Sequence, residues 1–234
     1  MSSEPVLDVT VPPGEVRAVA LVLHGGREVG TTPVRARQLA VLRMAPFATA
    51  LRRAGRDQAL AVARLRYVVR GWNGAARSPV GDVEWALGRL AERFAHAPIA
   101  LIGHSMGGRA AVYAAGHESV RAVVGLAPWL ERDDPSAQLA GRHVLFAHGQ
   151  RDRVTSPKAT AAWLRQADGR AASASFVAVK GEGHAMLRRA PLWHALTARY
   201  VLAVLCGVPL PDSPRSVGTD VAAKVLAGDA SLVV

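Results

Sequence analysis

A serine set among glycines is the clearest chemical signal in this sequence. The stretch Gly103-His104-Ser105-Met106-Gly107-Gly108 fits the pattern G-x-S-x-G. Apolar residues 97–102 predict a short buried strand before it, and residues 109–115 predict a helix after it. A tight strand–turn–helix junction lifts the serine hydroxyl above the sheet and leaves no room for side chains at the glycines. The pattern indicates a nucleophilic serine; the alternative is a glycine-rich turn in which Ser105 has no chemical role.

Two later segments supply the groups that such a serine needs. A serine hydroxyl is a weak nucleophile until a base takes its proton, and a carboxylate fixes the tautomer of an imidazole base. Asp152 follows the predicted strand 143–147, and His184 follows the predicted strand 175–179. The turn that carries Ser105 is of the type called a nucleophile elbow, and the chain order serine, aspartate, histidine is typical of such elbows. We therefore predict Ser105, Asp152 and His184 as the catalytic residues.

Other residues compete for these roles. Three further histidines lie inside glycine motifs and are better interpreted as structural hydrogen-bonding residues: His24, His104 and His148. Asp133 and Asp134 follow an earlier strand and are the alternative acids, but Asp152 is favoured by its Gly-x-x-Asp context after a predicted strand. The sequence contains no His-x-x-x-His pattern and no clustered carboxylates, so we predict no metal ion.

The elements that position these residues alternate along the chain. Apolar runs predict strands at 6–11, 18–23, 60–68, 97–102, 122–126, 143–147 and 175–179. Between them, helices are predicted at 35–54, 83–95, 109–115, 158–166 and 193–205. Such alternation predicts a mostly parallel sheet covered on both faces, with ligands at the carboxyl ends of the strands. The candidate residues all follow predicted strands.

Four motifs in this order carry a resemblance to a known family. They are Leu23-His24-Gly25-Gly26, Gly103 to Gly108, Gly149-Gln150-Arg151-Asp152 and Gly183-His184. Over roughly residues 17–207, the chain resembles the α/β-hydrolase superfamily, and within it the small lidless bacterial serine esterases. The resemblance implies the α/β-hydrolase fold, with a mostly parallel central sheet and helices on both faces. It also implies an oxyanion hole formed by the N–H of Met106 and a second N–H from Gly26, with Arg27 as the alternative donor.

The segment between Leu126 and Arg142 is too short for a helical cap domain. We therefore expect an open site, and we predict Arg27, Trp129 and Trp72 as substrate-binding residues. Trp72 and Trp129 could equally be core residues at the end of the sheet.

These features predict a serine hydrolase that cleaves carboxylic esters, or thioesters, through an acyl-enzyme. This chemistry requires no cofactor. The alternatives are acyl transfer or cofactor-free perhydrolysis on the same three residues, and a non-catalytic ligand-binding or scaffold protein of the same fold. The expected partner is a small-molecule ester.

Composition limits the remaining possibilities. The net charge is +11, but the 29 basic residues are scattered, and all except Lys158, Lys180 and Lys224 are arginine. With no nucleic-acid motif among them, we predict no nucleic-acid partner. The single cysteine, Cys206, excludes a disulfide within the chain. The N-terminus lacks the pattern of a signal peptide and no apolar run is long enough for a membrane span, so we expect a cytoplasmic protein that does not bind membranes.

We predict a single domain over residues 1–207. Residues 208–234 form a C-terminal tail, packed or mobile, in which Pro209, Pro211 and Pro214 exclude a continuous helix.

Overall fold

An eight-stranded sheet forms the centre of the molecule. The computed structural model describes residues 4–167, 169–209, 217–228 and 230–234. The strands lie in the order β1-β3-β2-β4-β5-β6-β7-β8, and only β1 is antiparallel to its neighbour. Their bounds are β1 Val6–Thr10, β2 Ala18–Leu23, β3 Leu60–Arg66, β4 Ile99–His104, β5 Val120–Leu126, β6 His143–Gly149, β7 Ser173–Val179 and β8 Ser231–Val233. The mostly parallel sheet is the predicted one.

Helices cover both faces, as predicted. Their bounds are α1 Leu39–Arg43, α2 Ala45–Gly55, α3 Ser78–Arg93, α4 Met106–Ala114, α5 Pro157–Ala167, α6 Ala190–Cys206 and α7 Val217–Leu226. One apolar core contains residues of α3, α4 and α5, and the other contains residues of α2, α6 and α7. Strand β2 shows why: Val19 and Leu21 face the first core, whereas Ala20 and Val22 face the second.

The predicted helix at 35–54 differs from the structure, which has two shorter helices there. Residues 35–38 are not helical, and α1 ends before Met44. Pro46 is the physical reason, because it lacks the N–H that would continue the ladder to the carbonyl of Leu42. The short α1 buries none of its side chains.

The part of 208–234 that the structure describes lies against the domain. Helix α7 packs on α6, with Val221 and Ala222 buried in the second core, and β8 pairs in parallel with β7. Pro209 follows α6 outside any helix. Pro211 and Pro214 lie outside the described residues.

The loop between β5 and β6 contains only a short 3₁₀ turn, Ala137–Leu139. No cap domain is present over the carboxyl ends of the strands in the described part of the chain.

Candidate active site

Ser105 occupies a strained turn between β4 and α4. Its backbone has φ 53° and ψ −119°, a conformation that side chains disfavour. Four hydrogen bonds hold it there. The Ser105 N–H donates to the carbonyl of Leu126, and the Ser105 carbonyl accepts from Gly108, Arg109 and Trp129. The first turn of α4 and the end of β5 therefore impose the strained conformation together.

At two positions of the elbow, glycine is required because neighbouring backbone atoms leave no room for a side chain, not because the backbone has a positive φ. A Cβ on Gly103 would lie 2.2 Å from the carbonyl oxygen of Gly107. A Cβ on Gly107 would lie 2.6 Å from the carbonyl oxygen of His24. Because these neighbours are backbone atoms, neither could move aside cheaply. The close approach also sets the loop after β2 directly against the elbow.

Asp152 accepts five hydrogen bonds from the groups around it. Its Oδ1 accepts from the N–H of Val154 at 2.8 Å and of Thr155 at 3.0 Å. Its Oδ2 lies 2.7 Å from His184 Nδ1, 3.0 Å from His148 Nε2 and 3.0 Å from Thr155 Oγ1. Burial disfavours the charged carboxylate, but the hydrogen bonds from His148, His184 and the two backbone N–H groups outweigh it. They hold the pKa of Asp152 well below its usual range.

The imidazole of His184 is fixed in orientation by that carboxylate. Since Asp152 is ionised, Nδ1 of His184 carries the hydrogen and donates it, which leaves Nε2 as the free base. The His184 ring lies 4.7 Å from the ring of His104, whose Nε2 is 3.0 Å from the His184 carbonyl oxygen. Within the described residues the Ser105 hydroxyl makes no hydrogen bond.

His148 and Thr155 complete the surroundings of Asp152. The His148 side chain is fully buried, and its Nε2 donates to Asp152 while its Nδ1 has no partner among the described residues. This is the structural role that the sequence favoured for His148. Thr155 was not predicted. Its hydroxyl lies within 3.2 Å of both imidazoles and donates to Asp152 or, at 3.4 Å, to the Ala127 carbonyl.

Two backbone N–H groups beside Ser105 lack partners. The Met106 N–H begins α4, and neither it nor the Gly26 N–H has an acceptor within the described residues. A Cβ on Gly26 would lie 2.3 Å from Met106 Cε and 2.5 Å from the Arg70 carbonyl oxygen, so these groups are close together. By contrast, the Arg27 N–H donates to the Arg70 carbonyl at 2.9 Å. Of the two alternatives for the second oxyanion donor, Gly26 is therefore the one left free.

Glu182 holds the loop that carries His184, and sequence reasoning did not identify it. Its side chain is buried and accepts from the N–H of Gly183 at 3.0 Å, the N–H of Arg189 at 2.8 Å and the indole of Trp193 at 3.3 Å. Arg43 of α1 donates to the carbonyl of Ala185 on the same loop. An acidic residue two positions before the histidine was the only sequence signal for this role.

The two predicted tryptophans enclose a buried arginine. The Arg109 guanidinium lies 4.3 Å from the ring of Trp72 and 4.6 Å from the ring of Trp129. Trp72 is 3% exposed and belongs to the first apolar core, as one of its two interpretations predicted, and its assignment as a substrate-binding residue stays a prediction. Trp129 is half-buried on the loop after β5.

Among the described residues, neither alternative acid makes an ion pair with His184. Asp134 is buried and pairs with Arg109 at 2.7 Å. Asp133 is exposed, with no ion pair among the described residues. In the same part of the chain, no group of three or more histidine, cysteine or acidic side chains is placed to hold a metal ion. None of the described helices is long and apolar enough to cross a bilayer.

Comparisons with known proteins rest on structure alone. No family model matches the sequence, and no curated protein matches it. A solved α/β serine hydrolase homologue from Coxiella burnetii is 19% identical, with 83% of this chain and 90% of that chain covered at a TM-score of 0.60. A serine hydrolase without lid from Xanthomonas campestris is 18% identical, with 88% of this chain and 91% of that chain covered at a TM-score of 0.61. A monoacylglycerol lipase from Paleococcus ferrophilus is 12% identical, with 85% of this chain and 99% of that chain covered at a TM-score of 0.60.

These likenesses show the fold of this chain. It is the α/β-hydrolase fold, as the four sequence motifs implied, and the described residues form no cap domain.

Replacing Glu182 tests the anchoring of the His184 loop. In Glu182→Gln the amide NH₂ would face one of the three donors that the carboxylate now satisfies. We expect the free energy of unfolding, measured in urea, to fall by about 2 kcal/mol, a typical loss for hydrogen bonds to a buried charge. The exposed Glu92 of α3 provides the control, and Glu92→Gln should stay within about 0.5 kcal/mol of the parent. Equal stability of the two variants would contradict the anchoring role.

Two buried histidines should make stability depend on pH. Burial lowers the pKa of His24 to about 4 and that of His104 to about 3, from 6.5. Between pH 6.5 and 4 the unfolded chain therefore binds protons that the folded chain excludes, so the free energy of unfolding falls as the pH is lowered.

Urea titrations at pH 7, 6 and 5 measure this slope. His24→Gln should reduce it, whereas His96→Asn, at an exposed histidine, should leave it unchanged. If the free energy of unfolding depended on pH equally in His24→Gln and in the parent, His24 would not have the lowered pKa on which this prediction rests.

Proposed function

We propose that this protein is a serine hydrolase that cleaves carboxylic esters through an acyl-enzyme intermediate. The observation that carries the proposal is the 2.7 Å hydrogen bond from His184 Nδ1 to the buried Asp152, beside the strained elbow at Ser105. An oriented base near a half-buried serine hydroxyl on a strained turn is the arrangement that nucleophilic catalysis requires. The proposal also gains support from structural neighbours that are named as serine hydrolases and as a lipase.

In the proposed acylation step, the Ser105 oxygen attacks the ester carbonyl carbon and its proton passes to His184 Nε2. The carbonyl π electrons move onto oxygen and form a tetrahedral oxyanion. When this intermediate collapses, the bond to the alcohol oxygen breaks, and His184 gives its proton to the departing alcohol. Asp152 accepts the Nδ1 hydrogen throughout and stabilises the imidazolium, which explains why a permanently ionised carboxylate suits this position.

The free N–H groups of Met106 and Gly26 are suited to hold the oxyanion. Both are fixed before substrate arrives, one by α4 and the other by packing of the β2 loop against Met106. Donors that are already oriented need no reorganisation when charge develops, so each can contribute strongly to the rate.

Water completes the proposed cycle. With His184 as the base, a water molecule attacks the acyl-enzyme, the Ser105 oxygen leaves with the proton from His184, and the carboxylic acid departs. The short loop between β5 and β6 leaves the site uncovered, which favours access of water and of small esters over long lipid chains.

Ser105 is the direct test of this function. We expect Ser105→Ala to abolish labelling by a fluorophosphonate and to reduce hydrolysis of p-nitrophenyl butyrate to background. Ser105→Gly should be equally inactive but more stable than the parent by about 1 kcal/mol, because glycine adopts φ 53° without strain.

The control is Ser231→Ala on β8, where the serine is exposed and distant from the elbow. It should retain full labelling and turnover. A folded Ser105→Ala protein with the parent's rate of ester hydrolysis would overturn the proposal.

Gly26 tests the oxyanion site. In Gly26→Ala the new methyl group would lie 2.5 Å from the Arg70 carbonyl, so the backbone must shift. Loss of one oxyanion donor lowers kcat by about 10²-fold, and we expect a fall of that order with the fold intact.

Gly81 offers a matched control in α3, where a Cβ meets no atom within 4 Å. Gly81→Ala should keep the parent's kcat and gain about 0.5–1 kcal/mol of stability. Unchanged kcat in Gly26→Ala would exclude Gly26 as a donor.

A further inference from the structure

A cavity opens beside the candidate oxyanion site, on the side of β2 and β3. It has a volume of about 290 Å³ and is bounded on one side by Gly26. A Cβ on the neighbouring Gly25 would lie 3.4 Å from the Ser105 Cβ, so the cavity adjoins the nucleophile. The residues that line it include Arg27, Arg70 and Gln38, together with the apolar Val34 and Leu39.

Arg27 and Arg70 are the two basic residues among those that line this cavity. Neither guanidinium has a carboxylate partner among the described residues, and no acidic side chain lines the cavity. His24 also lines it, but burial lowers its pKa to about 4, so it carries no charge at neutral pH. Glu28, the acid next to Arg27 in the chain, is exposed and makes no ion pair with either arginine among the described residues.

Backbone hydrogen bonds fix the main chain at Arg27 relative to the main chain at Arg70. The Arg27 N–H donates to the Arg70 carbonyl, and the Trp72 N–H donates to the Arg27 carbonyl, both at 2.9 Å. Asn73 Oδ1 accepts the Gly30 N–H at 2.9 Å and ties the same two loops together. Two guanidinium groups on a braced pair of loops suit a carboxylate, which accepts charge-assisted hydrogen bonds from arginine.

The order of strands indicates which part of an ester would enter. The loops with Asp152 and His184 follow β6 and β7, on one side of β4, whereas the cavity lies beyond β2 on the other side. His184 must reach the oxygen of the departing alcohol, so the alcohol part lies toward β6 and β7. The acyl part, on the opposite bond of the carbonyl carbon, then extends toward the cavity.

We infer that the preferred substrates are esters whose acyl chain ends in a carboxylate, bound by Arg27 and Arg70. This inference rests on the proposed function, and it specifies the acyl group that the same site accepts. The chain of the acyl group would pass along Val34 and Leu39, which line the cavity, and the terminal carboxylate would meet the two guanidinium groups at neutral pH.

A pair of esters that differ only in charge tests the inference. The probes are mono-p-nitrophenyl adipate, with a terminal carboxylate, and p-nitrophenyl adipamate, its neutral amide counterpart. For each protein, the ratio of their kcat/KM values is measured at low and high salt. We expect a ratio of about 10 or more in the parent at low salt, as charge-assisted hydrogen bonds to arginine would give. The ratio should fall toward 1 in Arg27→Gln/Arg70→Gln.

Arg53→Gln is the control for a general effect of positive charge, because Arg53 is exposed on α2 and outside the cavity. It should leave the ratio unchanged. A second pair, 4-(butyryloxy)benzoate and 4-(butyryloxy)benzamide, places the charge on the alcohol part and should show no such preference.

The outcomes separate the two proposals. A parent that hydrolyses both adipate probes with a ratio near 1 would overturn the anionic acyl site and leave the hydrolase intact. A ratio that survives in the double variant, or a preference for the charged alcohol part, would do the same. If the parent neither hydrolysed any probe nor reacted with a fluorophosphonate, the hydrolase itself would be excluded, and the acyl site with it.

Discussion

The strained backbone at Ser105 is the constraint around which this end of the molecule is built. A side chain at φ 53° persists only where its surroundings leave no alternative. Here the surroundings come from three directions: β5 through Leu126, the loop after it through Trp129, and the first turn of α4. The loop after β2 closes the fourth side, since Gly107 touches the backbone at His24. The strained conformation of Ser105 therefore depends on β2 and β5 being the two neighbours of β4 in the sheet.

A second group of residues supplies hydrogen bonds to two buried acidic side chains, Asp152 and Glu182. Asp152 is buried, yet five donors keep it ionised, so the folded protein holds one permanent negative charge beneath His184. The buried His148 donates to the same carboxylate through Nε2, and its Nδ1 has no partner among the described residues. Glu182 serves the adjoining loop in the same way, through backbone N–H groups and an indole. Each acid is thus satisfied before any substrate binds.

Sequence reasoning succeeded where a signal is local. The run 18–23 reads as a buried strand and is β2, and the glycines around Ser105 mark the elbow because their contacts lie within the same turn. Roles that depend on distant partners were not predictable. Glu182 acts through the start of α6, and Arg109 packs between tryptophans from two separate loops. The break between α1 and α2 at Met44 has a local signal in Pro46, but the helix-forming residues on either side of it favoured one continuous helix in the prediction.

The order of the strands also bears on how the site comes into existence. Gly26, Ser105, Asp152 and His184 follow four different strands, and β2 and β4 are neighbours although α1, α2, β3 and α3 separate them in the chain. Contacts between segments so far apart raise the contact order, which slows folding because long loops must close first. No fragment of the sheet holds all four residues. During refolding, recovery of a competent site should therefore follow completion of the whole sheet, later than the return of helical structure.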